Sequence, residues 1–149
     1  MRLANAGDAV AVRACVVAAF EPYIVRIGKP PAPMLLDYPM LIAEGRVWVA
    51  EQNTQVEGVL VQYETPEGFY VDTVASSLKA RGTGVGRALL RFAEGEAVRR
   101  GHASVYLCTN SKMTENQVLY PKIGYVEVDR RSEAGYDRVC YRKALPGQS

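Results

Sequence analysis

Three glycines within five positions interrupt the chain in the run Arg81-Gly82-Thr83-Gly84-Val85-Gly86. Residues 69–75 before this run are mostly β-branched or aromatic, which predicts a strand, and the residues after it have helical periodicity. Glycine lets backbone amides turn toward a ligand without a Cβ in the way, and a helix start adds unpaired N–H groups. The run therefore predicts either an anion site, with a pyrophosphate as its natural ligand, or merely a tight connection.

Two other kinds of phosphate site have different sequence requirements. A P-loop needs a Lys and a Ser or Thr directly after its last glycine, whereas Gly86 is followed by Arg87-Ala88. A dinucleotide fingerprint needs Gly-x-Gly-x-x-Gly after the first strand of a parallel unit, whereas this chain has Gly-x-Gly-x-Gly after strands that we expect to be antiparallel. A general nucleotide-binding domain is therefore disfavoured.

The composition sets the size of the fold and excludes some partners. With 149 residues, 48% of them hydrophobic, the chain can close one substantial core, so we expect residues 1–149 to form a single domain. The formal net charge of +2 gives no strong attraction to nucleic acid or to a membrane surface, and neither is expected as a partner. Arginines at positions 87, 91, 99, 100, 130 and 131 form either solvated faces or a positive rim for phosphates.

The three cysteines are Cys15, Cys108 and Cys140, an odd number without a short paired spacing. This argues against a disulfide framework and against a zinc site, and we expect buried free thiols and no metal. A reducing compartment follows. Because no signal-peptide pattern and no apolar run of about 20 residues is present, the expected location is cytoplasmic.

The apolar pattern gives an order of elements, β-α-α-β-β-β-α-β-α-β-β, which is that of a mixed α+β domain. Short spacings between the middle strands favour antiparallel hairpins. Asp8 is placed as the cap of the first helix, and Thr114-Glu115-Asn116-Gln117 matches a capping box. The expected strands are residues 1–5, 47–51, 56–63, 69–75, 104–109, 125–131 and 136–143. The expected helices run from Asp8 to about residue 21, over 34–44, from Gly86 to Gly101 and over 114–122, and prolines stiffen a loop at 28–33. The helix after Gly86 has Val85, Ala88, Leu89 and Phe92 on its apolar face.

Three separated segments resemble the general-control-related N-acetyltransferase (GNAT) superfamily. Arg81, Gly84 and Gly86 match its pyrophosphate motif. Further matches are Arg2, Ala4 and Asp8 near the N-terminus, and the run Asn116-Gln117-Val118-Leu119-Tyr120-Pro121-Lys122-Ile123-Gly124-Tyr125. The resemblance covers nearly the whole chain and implies a mixed, mostly antiparallel sheet of about seven strands with helices on both faces. The chain departs from the family just before the glycines, where Ser76 and Leu78 stand in place of a Val and a Pro.

The resemblance implies a role for each part of the site. Backbone amides of Arg81, Gly82, Thr83, Gly84, Val85 and Gly86 would cradle the pyrophosphate of acetyl-CoA, with Arg87 beside them. The strand with Val74 and Ser76 would splay from residues 104–109 so that pantetheine pairs in the gap, and the Val74 N–H would face the thioester carbonyl. Asn116 would contact coenzyme A, or is simply an early helical residue.

Proton transfer needs an acid and a base. Tyr120 matches the family's general acid, which protonates the departing thiolate, although the spacing alone equally suggests a tyrosine packed on the core. An amine with a pKa near 10.4 must lose a proton before it attacks, directly or through water. Asp72 shares a strand face with Tyr70 and Val74 and is the first candidate base; Glu64 is the second, and each is otherwise a solvated carboxylate. His102 is expected at the surface.

The resemblance thus implies an enzyme that moves an acetyl group from acetyl-CoA to a primary amine by direct attack in a ternary complex. A non-catalytic acyl-CoA-binding sensor on the same fold is the alternative. The acceptor is a small-molecule amine or a protein amino group, and the sequence leaves a homodimer open. Residues 28–33 and the helix behind them would roof the acceptor site, where Met34 and Tyr38 line a mixed pocket or belong to the core.

Overall fold

A computed structural model of the chain describes residues 1–146, and the last three residues of the expected domain lie outside the described part. Its centre is one mixed sheet of seven strands, as the resemblance implied. The strands are β1 (Arg2–Leu3), β2 (Val47–Gln52), β3 (Gln55–Thr65), β4 (Gly68–Ser76), β5 (Ser104–Asn110), β6 (Val126–Glu133) and β7 (Tyr136–Ala144); the helices are α1 (Ala9–Phe20), α2 (Ile24–Ile27), α3 (Tyr38–Ala43), α4 (Val85–Arg99) and α5 (Thr114–Lys122).

The strand order in the sheet is β1-β2-β3-β4-β5-β7-β6. The pairs β1–β2, β2–β3, β5–β7 and β6–β7 are antiparallel. The pair β4–β5 is parallel, with Phe69 opposite Val105 and Val71 opposite Leu107. A parallel pair needs a crossover connection, and the glycine run together with α4 supplies it.

Two compact units divide the chain. The first comprises residues 1–62 and 72–92. Its core contains α1, α3 and the middle strands, whose β-branched residues are fully buried at Val47, Val49, Val59 and Val61. The start of α4 approaches β3 closely, because a Cβ at Gly58 would lie 2.7 Å from the Val85 side chain.

The second unit comprises residues 63–71 and the residues from 93 onward. Its core contains the paired strands β5 and β7, with Val105, Val139 and Tyr141 buried. Tyr125 is buried as well, and its hydroxyl donates to Glu94 Oε2 at 3.0 Å. The Lys143 ammonium donates to the other oxygen of Glu94 at 3.0 Å, which ties α4 to β7 within this unit.

Neither predicted side-chain cap forms. Asp8 is the N-cap residue of α1, but its side chain makes no capping hydrogen bond to that helix. Asn5 instead caps the 3-10 turn Ala6–Asp8 that precedes α1: its side chain accepts the Gly7 N–H, and the Asp8 side chain accepts the Asn5 N–H at 2.8 Å in return. Thr114 is already the first helical residue of α5, so its hydroxyl is too far along the helix to cap it. The Gln117 amide instead donates to Ser111 O at 2.8 Å.

Two helices differ from their predicted form. The helix expected over residues 34–44 is a 3-10 turn at Ala32–Leu35 followed by α3, because Pro39 fits only the first turn of a new helix. On α4 the expected apolar position Ala88 is exposed, and Leu90 is buried beside Leu89. None of the helices in the described part is long and apolar enough to cross a membrane.

The expectation of three free thiols is wrong, because a disulfide joins Cys108 to Cys140. The two residues are direct register partners on β5 and β7, with Cα atoms 4.0 Å apart. Facing residues of an antiparallel pair approach to about 4.5 Å where no hydrogen bonds join them. Long-range register, which the cysteine spacing does not reveal, brings the two sulfurs together, and Cys15 alone remains a buried free thiol.

The sheet ends on β6, a strand with every residue but one exposed. Val126 and Val128 are 66% and 54% exposed. A bulge interrupts the pairing with β7 between Glu127 and Asp129, and the Arg130 guanidinium pairs with Glu127 at 3.0 Å. The edge therefore carries charge and an irregular backbone next to its exposed valines.

Candidate active site

The glycine run forms a turn that ends where α4 begins. Within the turn, the Thr83 N–H donates to Ala80 O at 3.0 Å and the Arg81 N–H to Leu78 O at 3.4 Å. The first helical bond runs from the Ala88 N–H to Gly84 O at 3.0 Å. The N–H groups of the four residues before Ala88 therefore have no acceptor inside the helix and point out of its N-terminal end. They are the positive pole of the helix dipole.

Backbone conformation explains why two positions of the turn, 82 and 84, are glycine. Gly82 and Gly84 have φ values of +81° and +88°, in the left-handed region that L-residues avoid. A Cβ at either position would meet no protein atom within 4 Å, so the fold itself leaves the space above the turn open. Open space above unpaired N–H groups is what an anionic ligand requires.

Two residues that the sequence analysis missed hold the turn in place. The buried carboxylate of Glu57 accepts the Ser77 hydroxyl at 2.7 Å, and Glu57 O accepts the Ser77 N–H at 2.9 Å. The Ser77 Oγ in turn accepts the Ala80 N–H at 3.1 Å. A charged residue at a buried strand position is the signal that could have identified this anchor.

The end of β4 carries three of the predicted site residues. Asp72, Val74 and Ser76 alternate along the strand with the buried Thr73 and Ala75, and each is half-buried. The Thr73 hydroxyl donates to Asp72 Oδ1 at 3.4 Å. Nothing in the first unit changes the prediction that Asp72 is a base and the Val74 N–H a donor, and both remain predictions.

The segment expected to roof the acceptor site contains a cavity of about 290 Å³. It is lined by Ala9, Val10, Arg13, Leu36, Asp37, Tyr38 and Pro39. Tyr38 is 1% exposed and its hydroxyl donates to Pro33 O at 2.6 Å. Burial, and next the negative charge of Asp72, raise the pKa of Tyr38, so the phenol remains protonated. Tyr38 thus belongs to the core and also forms part of the cavity wall.

Tyr120 lies in the last turn of α5 and is half-buried in the second unit. Its ring packs against those of Tyr125 and Tyr141, each at 5.6 Å between centroids. Pro121 follows it without ending the helix, which continues to Lys122, because a missing N–H so near the C-terminus removes a single bond. The Tyr120 ring is therefore held by two aromatic neighbours within a continuous helix.

Asn116 and Asn110 have structural partners. The Asn116 amide donates to Thr109 Oγ1 at 2.9 Å and joins α5 to the end of β5. The Asn110 Oδ1 accepts the Lys112 N–H at 2.9 Å, which forms a turn after β5. Asn110 thus starts a turn.

Glu64, the second candidate base, lies on the surface of the second unit. His102 Nε2 donates to Glu64 Oε2 at 2.9 Å, and Arg100 lies 3.4 Å from the other oxygen. The hydrogen bond from His102, ahead of the one from Arg100, lowers the pKa of Glu64. A carboxylate with a lowered pKa is a weaker base, so these contacts count against Glu64 as the base.

The predicted arginine group separates into paired and exposed members. Arg99 pairs with Glu96, Arg130 with Glu127, and Arg131 with Glu67 and Asp129. Arg100 pairs with Glu64. Arg87 and Arg91 are exposed on α4 shortly after the glycine turn. The prediction of a positive rim for phosphates therefore concerns these two residues.

Comparisons with known proteins point to one family. A sequence model of the acetyltransferase (GNAT) domain matches residues 43–127, which is more than half of the chain. No curated protein matches the chain. The structural matches below are all under 25% identical and show the fold alone.

Three solved structures illustrate the shared fold. A protein from Desulfovibrio desulfuricans described as a GNAT-family acetyltransferase has a TM-score of 0.76 at 19% identity, with 97% of this chain and 96% of that chain covered. The ribosomal-protein-S18-alanine N-acetyltransferase from Escherichia coli has a TM-score of 0.73 at 16% identity and coverages of 95% and 90%. A GNAT acetyltransferase from Elizabethkingia anophelis with acetyl-CoA bound has a TM-score of 0.63 at 20% identity and coverages of 71% and 80%.

Proposed function

The chain belongs to the GNAT acetyltransferase family, and from this premise we propose that it transfers the acetyl group of acetyl-CoA to a primary amine by direct attack in a ternary complex. The observation that carries the proposal is the start of α4. There, left-handed Gly82 and Gly84 precede four N–H groups without helical acceptors, beneath open space.

The residues present fit a pyrophosphate. Gly84, Val85, Gly86 and Arg87 would donate their N–H groups to its oxygens, and the Arg87 guanidinium adds positive charge at the same place. The N–H groups of Arg81 and Thr83 already have acceptors within the turn, so these two residues would shape the turn more than bind through their amides. Ser76 and Val74, on the half-buried face of β4, would contact the pantetheine arm.

Acetyl-CoA supplies an acetyl group activated as a thioester. The Val74 N–H would donate to the carbonyl oxygen on which negative charge develops, a contribution of roughly 3 to 4 kcal/mol for a well-aimed donor. Because the donor is in the backbone, changes to the Val74 side chain would affect it little. The splay of β4 from β5 that this arrangement needs stays a prediction.

The remaining steps are proton transfers. Asp72 would accept the proton of the acceptor amine, directly or through water, since a primary amine is almost fully protonated at neutral pH. The Tyr120 hydroxyl would protonate the departing thiolate, and the packing of its ring on Tyr125 and Tyr141 would fix its orientation. Asn116 would contact coenzyme A only if its bond to Thr109 is exchanged, so we give it a structural role first.

An acyl-CoA-binding sensor is the second candidate. It needs the same turn but neither Tyr120 nor Asp72, so the presence of both residues favours the enzyme. The acceptor is a small amine or a protein amino group; one structural neighbour is named for the alanine of ribosomal protein S18, and another was crystallised with a Gag peptide and CoA. A cytoplasmic location and a homodimer stay predictions. The expectation of a reducing compartment was based on free thiols, and the Cys108–Cys140 disulfide removes that basis.

One experiment separates the two candidates. Purified protein is titrated with acetyl-CoA in a thermal-shift assay and then incubated with acetyl-CoA and a panel of amines while free thiol is recorded. Stabilisation together with amine-dependent thiol release is expected for the enzyme. Stabilisation without thiol release for any amine or amino-terminal peptide would favour the sensor, and no stabilisation would contradict cofactor binding altogether.

A further inference from the structure

Glu57 is a buried carboxylate on β3, with 7% of its surface exposed. Within the described part of the chain it forms no ion pair, and its side chain has one hydrogen-bond partner, the Ser77 hydroxyl, at 2.7 Å. Taking a carboxylate out of water without a cation beside it costs free energy. It also places negative charge next to the turn that is proposed to bind a pyrophosphate, and like charges repel. The charge of Glu57 thus opposes both folding and anion binding.

The backbone of β3 is irregular at Glu57. On β2, Ala50 lies opposite Gly58, and the residue after Ala50 lies opposite Val56. Glu57 is therefore an extra residue with no partner of its own on β2. A β-bulge of this kind bends the strand and re-aims a side chain. The Glu57 C=O accepts the Ser77 N–H at 2.9 Å, so the backbone and the side chain of the bulged residue both bond to the same serine.

Ser77 connects this anchor to the glycine turn. The Ser77 Oγ accepts the Ala80 N–H at 3.1 Å. Ala80 O in turn accepts the Thr83 N–H at 3.0 Å and also the Thr83 hydroxyl. Thr83 lies between Gly82 and Gly84, the two positions with left-handed backbone. A continuous series of hydrogen bonds therefore runs from β3 to the centre of the turn, and each of its members belongs to the first unit.

No second series of this kind holds the turn. In the described part of the chain, the hydrogen bonds that leave residues 77–83 for another element all go to Glu57. Two glycines would otherwise give the segment a wide choice of conformations. A site that is competent for only a fraction of the time binds its ligand more weakly by that fraction. The bonds to Glu57 therefore preorganise the turn and reduce the cost of ordering it on binding.

We propose that Glu57 is a positioning residue for acetyl-CoA, which holds the glycine turn, through Ser77 and Ala80, in the conformation that receives the pyrophosphate. The inference rests on the proposed function and deepens it, because it assigns part of the affinity to a side chain that bonds to Ser77 and not to the coenzyme. Its sign is opposite to the one that charge alone predicts. Removing a carboxylate beside an anion site should strengthen binding by charge, whereas removing the anchor of the turn should weaken it.

The test measures the Kd of acetyl-CoA by isothermal titration, and stability without ligand by thermal unfolding. Glu57→Leu replaces the buried carboxylate by an apolar group, a kind of change that is often neutral or stabilising for folding. It should raise Kd about 10- to 100-fold while the melting temperature changes little, since a hydrogen bond to a charged group is lost from the turn. Glu57→Gln keeps an acceptor for the Ser77 hydroxyl and should raise Kd less.

Ser77→Ala interrupts the same series one step later and serves if Glu57→Leu does not fold. It should raise Kd as Glu57→Leu does, and the double variant should lose no more affinity than either single variant, because both changes act on one series of bonds. In thiol-release assays, both variants should raise the KM for acetyl-CoA and leave kcat at saturating acetyl-CoA within a few-fold of wild type.

Asp8→Asn is the matched control, because Asp8 is another carboxylate that fixes a turn of the first unit, where it accepts the Asn5 N–H at 2.8 Å, and it lies outside the proposed site. It should lower stability and leave Kd unchanged. Binding as tight as wild type, or tighter, by Glu57→Leu or by Ser77→Ala would overturn this inference and leave the proposed function standing. A loss of the same size in Asp8→Asn would do so as well. If the wild-type protein does not bind acetyl-CoA, the proposed function fails and the inference with it.

Discussion

Replacing Gly84 with valine should separate cofactor binding from folding. Gly84 has a φ of +88°, and an added Cβ would meet no protein atom within 4 Å. The folded protein therefore suffers only the backbone strain of a non-glycine residue in this region, which costs about 1–3 kcal/mol. For a domain of this size that lowers the melting temperature by roughly 2–12 °C.

The effect on the cofactor should be much larger. The valine side chain would occupy space beside the turn that the protein leaves empty and that we propose the pyrophosphate enters. Wild-type protein at a hundredfold excess of acetyl-CoA over Kd should gain about 2.7 kcal/mol of stability, a rise of roughly 5–11 °C. Gly84→Val should show almost none of this rise.

Gly101 supplies the control, since it follows the other end of α4 with a φ of +86° and equally empty surroundings. Gly101→Val should lower the melting temperature as Gly84→Val does and retain the full response to acetyl-CoA. Both variants are followed by thermal unfolding over a ligand titration. A wild-type response from Gly84→Val, or loss of the response in both variants, would refute the proposed cradle.

Three further outcomes follow from contacts in the two units. Tyr120→Phe should reduce kcat by about 10²-fold or more while acetyl-CoA binds normally. Tyr125→Phe is the control: it loses only the hydrogen bond to Glu94, so it should lower stability and leave kcat within a few-fold of wild type. Thiol-release kinetics measure kcat for both variants, and thermal unfolding measures their stability. Asp72→Asn should lower kcat/KM most at neutral pH and less in alkaline solution, where more of the amine is already unprotonated; a loss independent of pH would argue against Asp72 as the base. Hydrogen bonds from Arg2 and then from the Asn5 N–H lower the pKa of Asp8 in the folded protein. Asp8 therefore stabilises the fold at pH values above the pKa of the carboxyl in the unfolded chain, and this contribution is lost as the pH falls through the pKa in the folded protein. Asp8→Asn should cost more stability at pH 7 than at pH 2, as measured in denaturant titrations.

The sequence predicted the elements with clear local signals. The α5 boundaries, Thr114–Lys122, agree with the prediction, and the six strands from β2 to β7 occur where β-branched and aromatic residues cluster, whereas β1 contains neither. The short α2 was missed because its four residues, Ile24–Ile27, give no measurable periodicity. The two side-chain caps were predicted wrongly because a helix can begin one or more residues away from the position that the sequence pattern indicates.

In the candidate site, too, the sequence predicted the features that depend on local residue types and missed those that depend on contacts between distant residues. The glycine turn depends on backbone conformation, which the residue types reveal directly. The anchor formed by Glu57 and Ser77 depends on contacts 20 residues apart, and the Cys108–Cys140 bond depends on the register of two strands 32 residues apart.

The exposed edge formed by β6 bears on how the protein behaves at high concentration. A regular edge strand with exposed valines is a template on which a second chain can add its own strand, which is the first step toward fibrils. Here the bulge between Glu127 and Asp129 twists the edge. The charged side chains beside it would have to lose hydration before an approaching strand could form backbone hydrogen bonds with β6. Engineering that straightens β6 or neutralises Glu127 and Arg130 would trade resistance to self-assembly for a more regular sheet.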